Sequence, residues 1–196
     1  VTWGDDANGG DSSAVASHLT EGGDTVVSNH HAFAALKNGE VIAWGNSANG
    51  GSTNGAITNV EKIYSTNFAF AALKNDGSVA TWGDANYGGD SSIVAGSLSS
   101  NVMEIVGNTG AFAALKSDGS VVTWGYGSSG VSETEGYGGG STSVEDKLNG
   151  GVVEVFVGPG AFAALKSDGS VVTWGHEALG GDSSEVEALL SGGVGN

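Results

Sequence analysis

A chain of 196 residues with 22 acidic side chains against 6 basic ones, every one of them lysine, carries a formal charge of −16. That field repels phosphate backbones and anionic lipid, which excludes nucleic acid and acidic membranes as expected partners, and it draws cations such as calcium. With no cysteine there is neither a disulfide framework nor a thiolate metal site. No run approaches the roughly eighteen apolar residues of a membrane span, so no membrane insertion is expected. No signal peptide is read at Val1, so the chain is taken as a processed form or a piece of something longer. Its acidity and abundant Gly, Ser and Thr suit a secreted or surface protein.

The chain reads as a single repeat domain, 1–196, in units of about 1–20 (partial), 21–58, 59–99, 100–149 and 150–196. The opening Val1-Thr2-Trp3-Gly4 matches the end of a stretch that recurs as Ala32–Gly45, Ala69–Gly83, Ala111–Gly125 and Ala161–Gly175, the last two identical. Each unit begins with a β-branched run: Thr25–Val27, Val60–Tyr64, Val102–Val106 and Val152–Val157. The alternation is imperfect, but the composition predicts a strand. A short break follows, and then a second strand, Ala161–Lys166 in the last unit.

Asp-Gly next separates two apolar runs, at Asp76-Gly77, Asp118-Gly119 and Asp168-Gly169. Asn38-Gly39 does the same in the first unit. These dipeptides accept the positive φ of tight hairpins, so a third strand (Val171–Trp174 and its equivalents) runs antiparallel to the second. Phe162, Ala164 and Lys166 share one face of the second strand, and Ala161, Ala163 and Leu165 the other, so both faces are apolar until the lysine. Two apolar faces require cover on both sides, and the repeated alanines imply a closely approaching layer.

After each Trp-Gly the chain turns polar and glycine-rich. Gly4–Ser13 and Gly83–Ser92 match closely, and Gly180–Ser184 is a shortened copy. Short helical turns are expected next: Val15 with Leu19, Val94 with Leu98, Val144 with Leu148 and Val186 with Leu190 keep a four-residue spacing. A Ser184–Glu187 capping box is read at the last of them. In the first full unit Gly51–Thr58 replaces that turn with a loop. The third carries an insertion, Tyr126–Gly140. Phe33, Phe70, Phe112 and Phe162 mark equivalent points 37, 42 and 50 residues apart.

The series Ala164, Leu165, Asp168, Gly169, Val171, Trp174 and Gly175, with its equivalents in the other units, resembles the repeat of the regulator of chromosome condensation family. Alanine replaces that family's histidine at positions 32, 69, 111 and 161, and Gly-Gly-Asp-Ser-Ser replaces its Gly-Gln-Leu-Gly, as in a divergent branch. The resemblance implies a β-propeller with four-stranded blades. The fold expected is therefore all-β: a propeller or propeller segment of four tandem strand-hairpin repeats, with short helical turns in the connections.

Candidate chemistry is sparse. Asp6, Asn8 and Asp11, and Asp84, Asn86 and Asp90, place oxygens at alternate positions in flexible loops, as a calcium site requires. The same residue types also form turns and caps. Trp3, Trp44, Trp82, Trp124 and Trp174 form either a series of sugar-stacking platforms or a packing element. His30 and His31, read as strand neighbours facing opposite ways, are surface histidines, as are His18 and His176. Lys37, Lys74, Lys116 and Lys166 sit at exposed hairpin ends. No nucleophile elbow, phosphate loop or cofactor motif is present. The reading is a non-enzymatic structural or protein-interaction module: a rigid frame whose loops, chiefly Tyr126–Gly140 and Gly45–Thr58, meet protein partners or assembly subunits. The alternatives are a multivalent lectin binding glycan through the Trp-Gly-Asp loops and, by family analogy, an exchange factor acting on a small GTPase.

Overall fold

The computed structural model describes residues 2–20, 25–127 and 136–191. Each repeat is one three-stranded antiparallel sheet. Strands β1 (Thr25–Ser28), β2 (Ala32–Lys37) and β3 (Glu40–Gly45) form the first blade. The second holds β4 (Val60–Ser65), β5 (Ala69–Lys74) and β6 (Val79–Gly83); the third β7 (Val102–Gly107), β8 (Ala111–Lys116) and β9 (Val121–Gly125). The fourth holds β10 (Val152–Val157), β11 (Ala161–Lys166) and β12 (Val171–Gly175). The first strands of successive blades neighbour one another, which places them innermost.

The hairpins follow from their turns. Asn38 and Gly39 both take positive φ, 51° and 77°, as a two-residue hairpin demands. In the longer turns only the glycine does so, at 76° to 83° for Gly77, Gly119 and Gly169. The aspartate before it acts as a clamp: Asp118 Oδ1 accepts from the Ser120 N–H at 2.9 Å and from its hydroxyl at 2.6 Å, as Asp76 and Asp168 do with Ser78 and Ser170. The register of the inner strands shifts between Val60 and Lys62, Val102 and Glu104, and Val152 and Glu154. This bulge explains the imperfect alternation, because it leaves two exposed residues between the buried Val152 and Val155.

Where the family resemblance implies a fourth strand, the described residues form 3₁₀ turns and two short α-helical turns, Glu145–Leu148 and Glu187–Leu190, instead. Single backbone bonds among the described residues reach back to an outer strand, from the Val41 N–H to the Ile57 carbonyl and from the Val79 N–H to the Leu98 carbonyl, both 3.0 Å. Ile57, in the loop that lacks the helical turn, thus takes the place of Leu98. The turn at Ser184–Val186 passes into a short helix at Glu187–Leu190. Asp182, two residues before Ser184, accepts its N–H at 2.8 Å, so the cap belongs to the aspartate. Asp11 and Asp90 serve Ser13 and Ser92 in the same way.

Three cores lie between blades. In the first, Ala32, Ala34, Leu36 and Val41 of one blade meet Phe70, Ala72 and Trp82 of the next. The other two repeat this with Phe112, Ala114 and Trp124, and with Phe162, Ala164 and Trp174. Both faces of a middle blade are therefore covered, and alanine at alternate positions lets the sheets approach.

Candidate functional site

The tryptophans lock successive units. Trp44 donates its indole N–H to the Gly9 carbonyl, Trp82 to Gly50, Trp124 to Gly88 and Trp174 to Gly138, at 3.0–3.2 Å. Each accepting glycine lies in the connection that leaves the preceding unit. Phe33, Phe70, Phe112 and Phe162 stack on the same indoles at 5.2–5.4 Å. These four indoles are buried in the joints, with none more than 7% exposed, whereas Trp3 is 84% exposed.

The carboxylates of the glycine-rich loops are engaged with backbone. Asp84 accepts from the Asn86 N–H at 2.9 Å and Asp90 from that of Ser92 at 2.8 Å. Asp11 takes the Ser13 N–H, and Asn8 pairs with the His31 ring at 2.9 Å. Asp6 lies exposed in the first 3₁₀ turn, whose cap is Asp5. Among the described residues no group of three or more His, Asp or Glu is placed to hold a metal ion. Lys37, Lys116 and Lys166 donate to the carbonyls of His18, Ser97 and Lys147, each 19 residues earlier, and so tie the helical turns to the hairpins.

A different set of residues converges at one end of the array. His31 stacks on Phe68 at 5.5 Å, Phe68 meets Tyr87 at 4.5 Å, Tyr87 stacks on Tyr126 at 5.4 Å, and Tyr126 meets Tyr137 at 5.5 Å. His30 flanks the row, 6.0 Å from Phe68. The five rings from His31 to Tyr137 are half-buried, so each presents part of its surface to solvent. His30 and His31 lie in the turn before β2, not in a strand.

Tyr126, directly after Gly125, supplies one of the five rings, and two positions supply the other four. One is the residue before the second strand: His31, Phe68, Gly110 and Gly160. The other precedes the left-handed glycine of the connection: Asn8, Asn49, Tyr87, Tyr137 and Leu179. The glycines make room, since a Cβ at Gly110 would stand 2.7 Å from the Tyr137 ring and 3.0 Å from that of Tyr87. Polar residues, of which Thr66 and Asn108 are buried, fix the backbone beneath. Asn108 donates to the Tyr137 carbonyl and accepts from the Gly110 and Ala111 N–H groups at 3.0 and 2.9 Å. Thr66 does the same for Tyr87, and Asn29 for Asn49.

The electrostatics are acidic. Burial, and then the neighbouring Tyr126, Asp84 and Tyr137, push the Tyr87 phenol above its ordinary value. Asp5, Asp6, Asp84 and Glu177 lie in the turns that carry the row or continue its line. Rings next to carboxylates favour a cation, through the ring quadrupole and through direct pairing. The central part of the insertion, 128–135, lies outside the described residues.

No family model and no curated protein matches this chain. Solved structures do. Human WBSCR16 superposes with a TM-score of 0.51 at 21% identity, over 80% of this chain and 48% of its own. Prp20p from Saccharomyces cerevisiae, studied with Gsp1p and histones, gives 0.50 at 20%, over 78% and 43%. The CRINKLY WD40 ectodomain of the Arabidopsis thaliana receptor kinase ACR4 gives 0.50 at 18%, over 76% and 50%. Prp20 is also known as yeast RCC1, so the propeller fold implied by the repeat is the fold observed. This chain spans half or less of the length of each.

Proposed function

We propose that the protein is a non-enzymatic interaction module whose ligand is a basic segment of a partner protein, docked along the row His31–Phe68–Tyr87–Tyr126–Tyr137. The observation that carries this reading is the row itself. Its rings come from positions where the repeats differ, on a frame that the repeats keep rigid. A surface of half-buried aromatics beside Asp5, Asp6 and Asp84, on a chain of charge −16, suits lysine and arginine side chains.

The test is a fluorescence-anisotropy titration with a labelled peptide rich in Lys and Arg, against an acidic peptide of the same length. Binding that weakens with salt, and falls at least about tenfold in the Tyr87→Ala/Tyr126→Ala double variant, is expected. Equal binding of the acidic peptide, or no loss in the double variant, would sink the reading. A glycan is the second ligand that such rings can stack, and a sugar panel read by tyrosine fluorescence separates the two. Nucleotide release from a small GTPase tests the exchange-factor alternative.

A further inference from the structure

Three of the chain's four tyrosines converge on Gly110. A Cβ at that glycine would meet Tyr137 at 2.7 Å, Tyr87 at 3.0 Å and Tyr126 at 3.3 Å, so all three side chains rest on the backbone there. Hydrogen bonds fix this seat from several sides. The Tyr126 N–H donates to the Gly110 carbonyl at 2.9 Å and the Tyr137 N–H to the Tyr126 carbonyl at 3.1 Å, while the Tyr87 carbonyl accepts from the Thr66 hydroxyl at 3.0 Å. On the seat the Tyr87 and Tyr126 rings stack at 5.4 Å, with 22° between their planes. Both rings are half-buried, so a small oxidant in solution reaches them.

We propose that Tyr87 and Tyr126 are an oxidative cross-linking site, at which a one-electron oxidant of the peroxidase class joins the two rings by a carbon–carbon bond. Each phenol gives up one electron and its hydroxyl proton and becomes a phenoxyl radical, whose spin is shared with the ring carbons beside the oxygen. One such carbon of each ring forms the bond. Each bonded carbon then loses its hydrogen as a proton and each oxygen takes one up, which restores both phenols. The chain has lost two hydrogens, and the two electrons and two protons reduce one hydrogen peroxide to two waters. Burial, and then Tyr126, keep the Tyr87 phenol protonated above its ordinary range, so its proton leaves with the electron. Stacking turns the meeting of two short-lived radicals into a step within one molecule, which favours this pair. The bond ties the connection after the second blade to the one after the third, and its formation does not depend on what the aromatic row binds.

The composition directs oxidation to this place. There is no cysteine to intercept the oxidant. Four of the five tryptophans are at most 7% exposed, which leaves Trp3. The fourth tyrosine, Tyr64, carries the Lys62 ammonium 4.8 Å from its ring centre, and a cation there opposes the withdrawal of an electron. Tyr64 is therefore an internal control.

The test treats dilute protein with peroxidase and hydrogen peroxide and, in parallel, with photo-excited ruthenium tris-bipyridine and persulfate, a smaller oxidant. Trypsin, which cuts after lysine, places Tyr64 on 63–74, Tyr87 on 75–116, and Tyr126 with Tyr137 on 117–147. The expected product fluoresces as dityrosine, keeps the 19.3 kDa mass of one chain less two hydrogens, and yields 75–116 joined to 117–147. Tyr126→Phe, which keeps the ring and removes the phenol, should abolish the joined peptide. Tyr137→Phe and Tyr64→Phe should leave it. In urea the selectivity should vanish, with Tyr64 coupling as well. Absence of the joined peptide with both oxidants overturns the proposal. So does a joined peptide that survives Tyr126→Phe or is lost in Tyr137→Phe, and so does coupling mainly between chains.

Discussion

The unit that holds this molecule together is a trio of one glycine, one phenylalanine and one tryptophan, and its energetics can be separated by paired substitutions. Gly88 has φ +98° and lies against Phe112, so a Cβ there would come within 2.6 Å of the ring. Gly180 has φ +101° and nothing within 4 Å. Gly180→Ala should therefore cost only the left-handed backbone term, about 1 kcal/mol. Gly88→Ala adds the displacement of a packed ring, for a total of about 3 kcal/mol, and urea unfolding of the two variants reads the difference. The hairpin aspartates offer a second check. The Ser120 hydroxyl and then its N–H hold the Asp118 carboxyl below the usual 3.8. A folded value below the unfolded one means that this contribution is complete above about pH 4 and fades as pH falls through the lowered value. Ser120→Ala should move the Asp118 titration, followed by NMR, back towards 3.8 while leaving Asp168 where it was; an unmoved Asp118 would assign the shift elsewhere.

At the scale of elements, the turn before each second strand works as a bracket. Asn108, 7% exposed, holds three backbone groups and thereby fixes both the start of β8 and the loop carrying Tyr137. Asn108→Ala leaves those groups unpaired and should cost about 2–3 kcal/mol. The Gly110 and Ala111 amides should lose hydrogen-exchange protection before the rest of β8; uniform loss along the strand would point to general destabilisation instead. The hairpins were legible in the sequence because Asp-Gly, Asn-Gly and a strand apolar on both faces each have one local meaning. The bracket was not, because Asn29, Thr66, Asn108 and Gly158 share a position without sharing a residue type. The aromatic row was hidden for a related reason. Its rings lie far apart in sequence, and each stands at a site where another unit has glycine, asparagine or leucine. The signal that could have found it is the residue before each left-handed glycine, which runs Asn, Asn, Tyr, Tyr, Leu along the chain. Repetition drew attention to the tryptophans, which serve packing, while the row arises where repetition fails.

For the whole molecule, stability should follow how many faces of a blade are covered. The second and third blades are packed on both sides: Phe70 and Ala71, on opposite faces of the second, are 0% exposed, and Phe112 and Ala113 of the third 0% and 1%. The fourth has a buried receiving face but leaves Val153, Phe156 and Val157 at 47–54% exposure. In a linear array each unit is stabilised by its own folding and by its nearest neighbours, so losing one interface lowers a unit's opening free energy directly. Native-state hydrogen exchange should therefore show β11 opening more readily than β5 or β8. Equal protection in the three strands would mean that the exposed residues of the fourth blade do not govern its opening. The aromatic row crosses the second and third blades, where the frame is covered on both sides, so opening of the fourth blade should leave basic-peptide binding unchanged.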